Sequence, residues 1–196
     1  MRILLIGASG TIGRAIAAAL SPANDVVHAS RNGEHHVDIA DPNSIRALYA
    51  KVGRVDAIVS AAGSAAFKPL AELSDADFAF SLGNKLMGQV NLTRFGFDAV
   101  NDGGSITLTS GVLAQNPAPG TSAISLVNAG LEGFARGAAL EAPRGIRVNV
   151  VSPPWVSETL AALGMPPEGG LSAARVAQSY VESVQANQTG QVISPR

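Results

Sequence analysis

Four apolar residues, Ile3 to Ile6, run without a break into Gly7-Ala8-Ser9-Gly10-Thr11-Ile12-Gly13, and a helical pattern opens at about Thr11. A glycine triplet set between a buried strand and a helix leaves few folds open. Gly7 permits the tight turn, Gly10 lets a phosphate approach the backbone, and Gly13 lets the helix pack closely on the sheet. The helix N-terminus then faces the anion with free N–H groups, with Ser9, Thr11 and Ile12 beside it. In a chain with 21 glycines the triplet says little by itself, and its place between strand and helix carries the inference. A purely structural turn at the first crossover is the alternative.

The rest of the chain repeats the same alternation. Short apolar or β-branched runs are predicted as strands at Arg2–Ile6, Asp25–Ala29, Glu34–Val37, Val55–Ser60, Ser105–Thr109, Arg147–Val151 and Gln191–Ile193. Between them lie helical patterns at Thr11–Leu20, Pro42–Lys51, Asp75–Val100, Thr121–Glu141 and Ala173–Ala186. Asp41 before Pro42 is an N-cap signal, Asp75 and Asp77 suit a helix start, and Asp102-Gly103-Gly104 and Arg144-Gly145 punctuate helix ends. Ser152–Leu171, rich in Pro and Gly, reads as an irregular loop. The expected architecture is α/β: one domain over residues 1–196, a three-layer, doubly wound parallel sheet of about seven strands, which is a Rossmann fold.

Composition narrows the function. Hydrophobic residues make up 46% and charged residues 15%, with a net charge of −1 and no Lys/Arg cluster longer than a pair. Nucleic acid and anionic membrane are therefore not expected partners. The absence of cysteine removes disulfides, thiolate catalysis and Cys-ligated metals. The opening apolar run is too short for a signal-peptide core or a membrane span, so a cytoplasmic protein is expected. His35-His36 has no companion ligands at metal spacing, and no metal is expected.

At the end of the second strand an NAD-preferring site usually carries an acid for the ribose 2′-hydroxyl. Here the residues are Ala29-Ser30-Arg31-Asn32. An arginine matches a 2′-phosphate by charge and by its donor fork, which favours NADP(H) over NAD(H). A solvated surface arginine is the other reading.

Further segments resemble the short-chain dehydrogenase/reductase family over nearly the whole chain. Val37-Asp38-Ile39 is similar to the family's segment beside the adenine, and Ser60-Ala61-Ala62-Gly63 resembles its Asn-Asn-Ala-Gly motif with the asparagines replaced. Gly145-Ile146-Arg147-Val148-Asn149-Val150-Val151-Ser152-Pro153 resembles the stretch leading to the nicotinamide, and Thr189-Gly190-Gln191-Val192-Ile193 the final strand. The resemblance implies cofactor contacts at Ser30, Asp38, Ile39, Ala61, Ala62, Gly63, Pro153 and Val156. It places Trp155 on a wall of the substrate pocket or as an anchor of its loop.

The catalytic pattern of that family is missing. Its Tyr-x-x-x-Lys motif falls on Ile124-Ser125-Leu126-Val127-Asn128, so Ile124 stands for the tyrosine and Asn128 for the lysine. An isoleucine donates no proton. The family's serine corresponds to Ser110, which either polarises a carbonyl or bonds the strand end. Its Asn-x-x-Gly segment corresponds to Lys85-Leu86-Met87-Gly88, so lysine and asparagine are exchanged between two facing positions. On this basis Lys85 is expected to restore the cation, with Asn128 as its partner and Ser125 as a further candidate proton donor. If Asn84 is the aligned residue, Lys85 is instead a surface lysine.

The expected function is an NADP(H)-dependent oxidoreductase acting on a carbonyl or alcohol, with an apolar or aromatic small molecule as substrate and a non-standard proton donor. The alternative is a non-catalytic NADP(H)-binding sensor or regulatory protein. Small residues along Thr121–Glu141, among them Gly130, Gly133, Gly137, Ala138 and Ala139, lead us to expect a homodimer or homotetramer.

Overall fold

The computed structural model describes residues 1–196. Seven parallel strands form one sheet: β1 (Arg2–Ile6), β2 (Asp25–Ser30), β3 (His35–His36), β4 (Val55–Ser60), β5 (Val100–Thr109), β6 (Arg147–Val151) and β7 (Val192–Ile193). Their spatial order is β3-β2-β1-β4-β5-β6-β7. The winding direction reverses between β1 and β4, where a crevice opens at the strands' C-terminal ends. In β1 the side chains alternate between two cores. Leu4 and Ile6 join Ile45, Leu48, Leu92 and Leu131 on one face, while Ile3 and Leu5 join Ile16, Leu20, Val176 and Tyr180 on the other. A sheet covered on both faces has near-continuous apolar strands, which is why the alternation was muted in the sequence.

The helices are α1 (Thr11–Leu20), α2 (Pro42–Val52), α3 (Asp75–Ser81), α4 (Gly88–Ala99), α5 (Ser122–Glu141), α6 (Ser157–Ala162) and α7 (Ala173–Gln185). Asp41 caps α2 by accepting the Asn43 N–H. Ser74 and Asp77 form a reciprocal capping box at α3.

Three expectations need correction. The long helix expected over Asp75–Val100 is two helices separated by a π-helical turn, Leu82–Met87, and Val100 already belongs to β5. Asp102-Gly103-Gly104 lies inside β5 and does not end a helix. The cause is two arginines: Arg54 and Arg144 donate to the Val100 carbonyl and hold Asn101 and Asp102 at the sheet's lower edge. Finally, Ser152–Leu171 is not wholly irregular. It contains α6, closed by a parallel bridge between Val156 and Leu171.

One buried polar link ties the two layers. Tyr180, with no exposed surface, places its hydroxyl 2.6 Å from Thr109 Oγ1, which also donates to the Ser60 carbonyl. Burial raises the Tyr180 pKa well above the ordinary phenol value, so the hydroxyl stays neutral. Tyr180→Phe is expected to lose about 1 kcal/mol of stability, measured as a lower urea midpoint with an unchanged m-value.

Candidate active site

Two adjoining clefts lie at the crevice between β1 and β4. The first, of about 320 Å³, runs from the glycine turn past the ends of β2 and β4. Gly10 is the N-cap of α1 and no side chain caps that helix, so its first N–H groups are left for a ligand. A Cβ at Gly13 would collide with the Gly7 carbonyl, so α1 reaches the turn only because this residue is glycine. Of the expected contacts, Gly7, Ser9, Gly10, Ser30, Arg31, Asp38, Ile39, Ala61, Ala62 and Gly63 line this cleft. Thr11 lies in the first turn of α1 without lining it, and Gly13 is buried behind it. Arg31 is exposed and takes part in no ion pair. An uncapped helix start beside a groove fits the phosphates of a dinucleotide.

The second cleft, of about 380 Å³, opens from the first across Ala61–Ser64. Lys85, Ser110 and Asn128 line it together, with Ile12, Pro153 and Val156 on the side of the first cleft. Ser125 does not; its hydroxyl pairs with Thr121 at 3.3 Å. Ile124 is buried against Leu113 and Val127, so no proton donor occupies the expected tyrosine position.

The π-helical turn divides the two residues that compete for the family's asparagine position. Asn84 faces the first cleft and accepts the Ser64 N–H at 2.8 Å. Lys85 faces the second and donates to the Ser110 carbonyl at 3.2 Å. A β-carbon at Gly63, whose φ is +125°, would stand 3.0 Å from Lys85 Cγ, so this glycine clears the path of the lysine stem. Lys85 is half-buried as a residue, yet its ammonium lies inside the cleft, and that desolvation pulls its pKa down from 10.5 to about 8.

Lys85 and Asn128 do not bond each other, contrary to the expectation for the exchanged pair. They hold successive carbonyls instead: Lys85 that of Ser110, and Asn128 that of Gly111 at 3.4 Å. Asn128 Oδ1 is buried with no partner.

Two residues that shape the site carried no sequence signal. Gln89 pairs its amide with both backbone groups of Thr109, at 2.8 and 2.9 Å, and fixes α4 to the end of β5. Glu132 is buried and accepts from Ser110, Ser152 and Gln115 at 3.1–3.2 Å. The Ser110 hydroxyl is thus turned toward Glu132, leaving its lone pairs for any other partner. A glutamate on a helix is ordinarily a surface residue, and only the strand-end serines on either side explain its burial.

A family model described as enoyl-(acyl carrier protein) reductase matches residues 15–194. This chain belongs to the short-chain dehydrogenase/reductase family. Among solved structures, the protein lin1944 from Listeria innocua is 43% identical, with a TM-score of 0.95 and coverage of 99% of this chain and 98% of that one. A small-chain dehydrogenase in complex with NADPH is 26% identical, with a TM-score of 0.87 and coverage of 99% and 95%. Hydroxynaphthalene reductase arp2 of Aspergillus fumigatus is 32% identical over 109 residues, which are 55% of this chain and 40% of that protein. Oxidoreductase UcpA of Escherichia coli K12 is 31% identical over 132 residues, 63% and 50% of the two chains. This dehydrogenase/reductase chain therefore spans about half the length of those curated relatives or less. No helix is long and apolar enough to cross a membrane.

Gly13→Ala should force α1 off the turn at a cost of about 1–3 kcal/mol. The expected result is a lower Tm together with weakened NADPH binding, read from nicotinamide fluorescence; unchanged binding would contradict the assigned role of the turn.

Proposed function

We propose that this chain is an NADP(H)-dependent oxidoreductase that interconverts a carbonyl and an alcohol on a small apolar or aromatic molecule, with Lys85 as acid and base. The observation that carries this reading is the Lys85 ammonium standing in the second cleft, while the tyrosine position is filled by Ile124. A nicotinamide cofactor bound in the first cleft would supply or accept the hydride. Binding falls to the glycine turn, with Arg31 on the 2′-phosphate. NADPH in the structural relative supports the cofactor class, and reductase names among the relatives support the reaction class.

A lysine with a pKa near 8 is populated in both protonation states around neutrality, as a proton-transfer group requires. In reduction its ammonium gives a proton to the substrate oxygen and becomes a neutral amine. In oxidation the amine takes the alcohol proton. Ser110 donates its hydroxyl to Glu132 and fixes the pocket floor, its lone pairs left to accept a bond, and Asn128 holds the Gly111 carbonyl beside it. Ser125 has no part in this arrangement. The rival reading, a cofactor-binding sensor or regulatory protein, draws on the same commitment of Ser110 to Glu132 together with the loss of tyrosine.

Titration with both reduced cofactors, followed by a carbonyl panel, decides between them. NADPH should bind roughly tenfold to a hundredfold more tightly than NADH, the size of a charge-assisted hydrogen bond, and Arg31→Ala should erase the difference. Lys85→Met should lower turnover by roughly 10²–10⁴-fold with cofactor affinity kept. Since the acid form is the protonated one, reduction should decline as pH rises through about 8 and oxidation should increase. Binding of NADPH without turnover of any carbonyl would favour the sensor.

We also read the chain as a homodimer or homotetramer joined through α5. Leu126, Gly130, Gly133, Gly137 and Leu140 recur on one face of that helix, and the two leucines are 49% and 90% exposed. Leu140→Glu should lower the molar mass found by light scattering, and an unchanged mass would move the interface elsewhere.

A further inference from the structure

The second cleft holds one charge. Among its lining residues Lys85 is the only ionisable side chain, and it enters no ion pair. Glu132, the buried carboxylate beside Ser110, is turned to Ser110, Ser152 and Gln115 and is not part of the wall. A desolvated cation without a counter-ion is costly, and an anion from outside would relieve that cost. An ammonium has three donors. The Ser110 carbonyl takes one, and two remain for a ligand.

The other walls set the rest of the ligand. Val112, Leu113 and Ile124 are apolar, and Pro153 and Pro154 stiffen the opposite side. At the rim Phe67 and Trp155 meet with ring centroids 6.3 Å apart and planes tilted by 47°. Phe67 is 54% exposed although it belongs to the cleft wall. The segment that carries it is held by Lys68, which bonds both carboxylate oxygens of Asp77 at 2.9 Å. Asn128 adds an independent polar demand. Its amide nitrogen is directed at the Gly111 carbonyl, so its oxygen is the atom left buried without a donor.

We propose that the second cleft takes an aromatic or planar apolar molecule bearing an anionic oxygen next to its carbonyl, as in an aryl 2-oxo acid, with both oxygens seated on the Lys85 ammonium and the ring against Trp155 and Phe67. This rests on the oxidoreductase reading for its chemistry and names the class of molecule on which that chemistry acts. The anion site itself requires no turnover. An adjacent pair of oxygens uses the two remaining lysine donors, whereas a neutral ketone would leave the cation unbalanced.

Trp155 is the only tryptophan of the chain, so its emission reports occupancy of this cleft. Benzoylformate and its neutral amide, phenylglyoxylamide, are the probes, titrated into the whole protein with and without NADPH. At pH 7 the carboxylate should bind at least roughly tenfold more tightly than the amide, as expected for a charge-assisted contact. That preference should vanish in Lys85→Met, persist in Lys85→Arg, and fade as pH is raised past about 8, where the ammonium is lost. Thermal melting of each variant shows that it is folded. Equal affinity for the two probes, a preference that survives Lys85→Met, or no change in Trp155 emission with either probe would each overturn the proposal. The NADPH titration separates the two readings. Carboxylate preference without NADPH binding would sink the oxidoreductase and leave the anion site. NADPH binding and neutral-carbonyl turnover without carboxylate preference would do the reverse.

Discussion

The contact between the start of α1 and the turn after β1 is the constraint on which the site depends. Gly13 lies against the Gly7 carbonyl, and a β-carbon at Gly7 would in turn stand 2.6 Å from the carbonyl oxygen of Ala61 at the end of β4. Three backbone segments therefore meet with no side chain between them, at the point where the winding of the sheet reverses. That closeness aims the uncapped helix start at the crevice. It also leaves the segment Ala61–Ser64 as a shared wall of both clefts. The two clefts are thus two sides of one short piece of backbone.

On the side of the second cleft the decisive element is the register of α4. Gln89 closes two hydrogen bonds with Thr109, so the helix cannot slide along β5 without breaking both in a buried setting. One turn earlier, the π-helical segment Leu82–Met87 widens the helix. With Gln89 fixed behind it, this segment sends Asn84 to the first cleft and Lys85 to the second. Beneath them Glu132 gathers the hydroxyls that follow β5 and β6, which sets the floor under the lysine. A carboxylate satisfied by three donors is tolerable there, while an unbalanced ammonium one layer above is not, and this asymmetry is the physical basis for expecting an anionic partner.

Most of the fold was legible because its signals are local. The glycine turn, the apolar strands and caps such as Asp41 each depend on residues close in the chain. The errors fell where distant groups decide. Nothing in Val100–Gly104 announces a strand, since its backbone is held by Arg54 and Arg144 from two other segments. The long helix was read through its π-helical turn because a single added residue hardly disturbs an apolar pattern. In the site, most of the motif positions fall on the wall of the first cleft, and the exchanged residues Lys85 and Asn128 both fall on the second. The pairing of those two side chains did not follow, because facing positions specify proximity and not which carbonyl each group will choose. Gln89 and Glu132 were invisible for the same reason.

In the reaction proposed above, the exchange also changes the electrostatics. A tyrosine acid beside a lysine starts neutral and ends as an anion paired with a permanent cation. Lys85 alone starts as a cation and ends as a neutral amine, so the pocket holds no ion pair after the proton has moved. A single cationic acid suits a substrate that arrives with its own negative charge: the pair is neutral on binding, and the cleft can remain apolar elsewhere, as Val112, Leu113 and Ile124 make it. Burial lowers the cost of giving up the proton, and an anionic substrate on the ammonium offsets part of that effect by favouring the charged form.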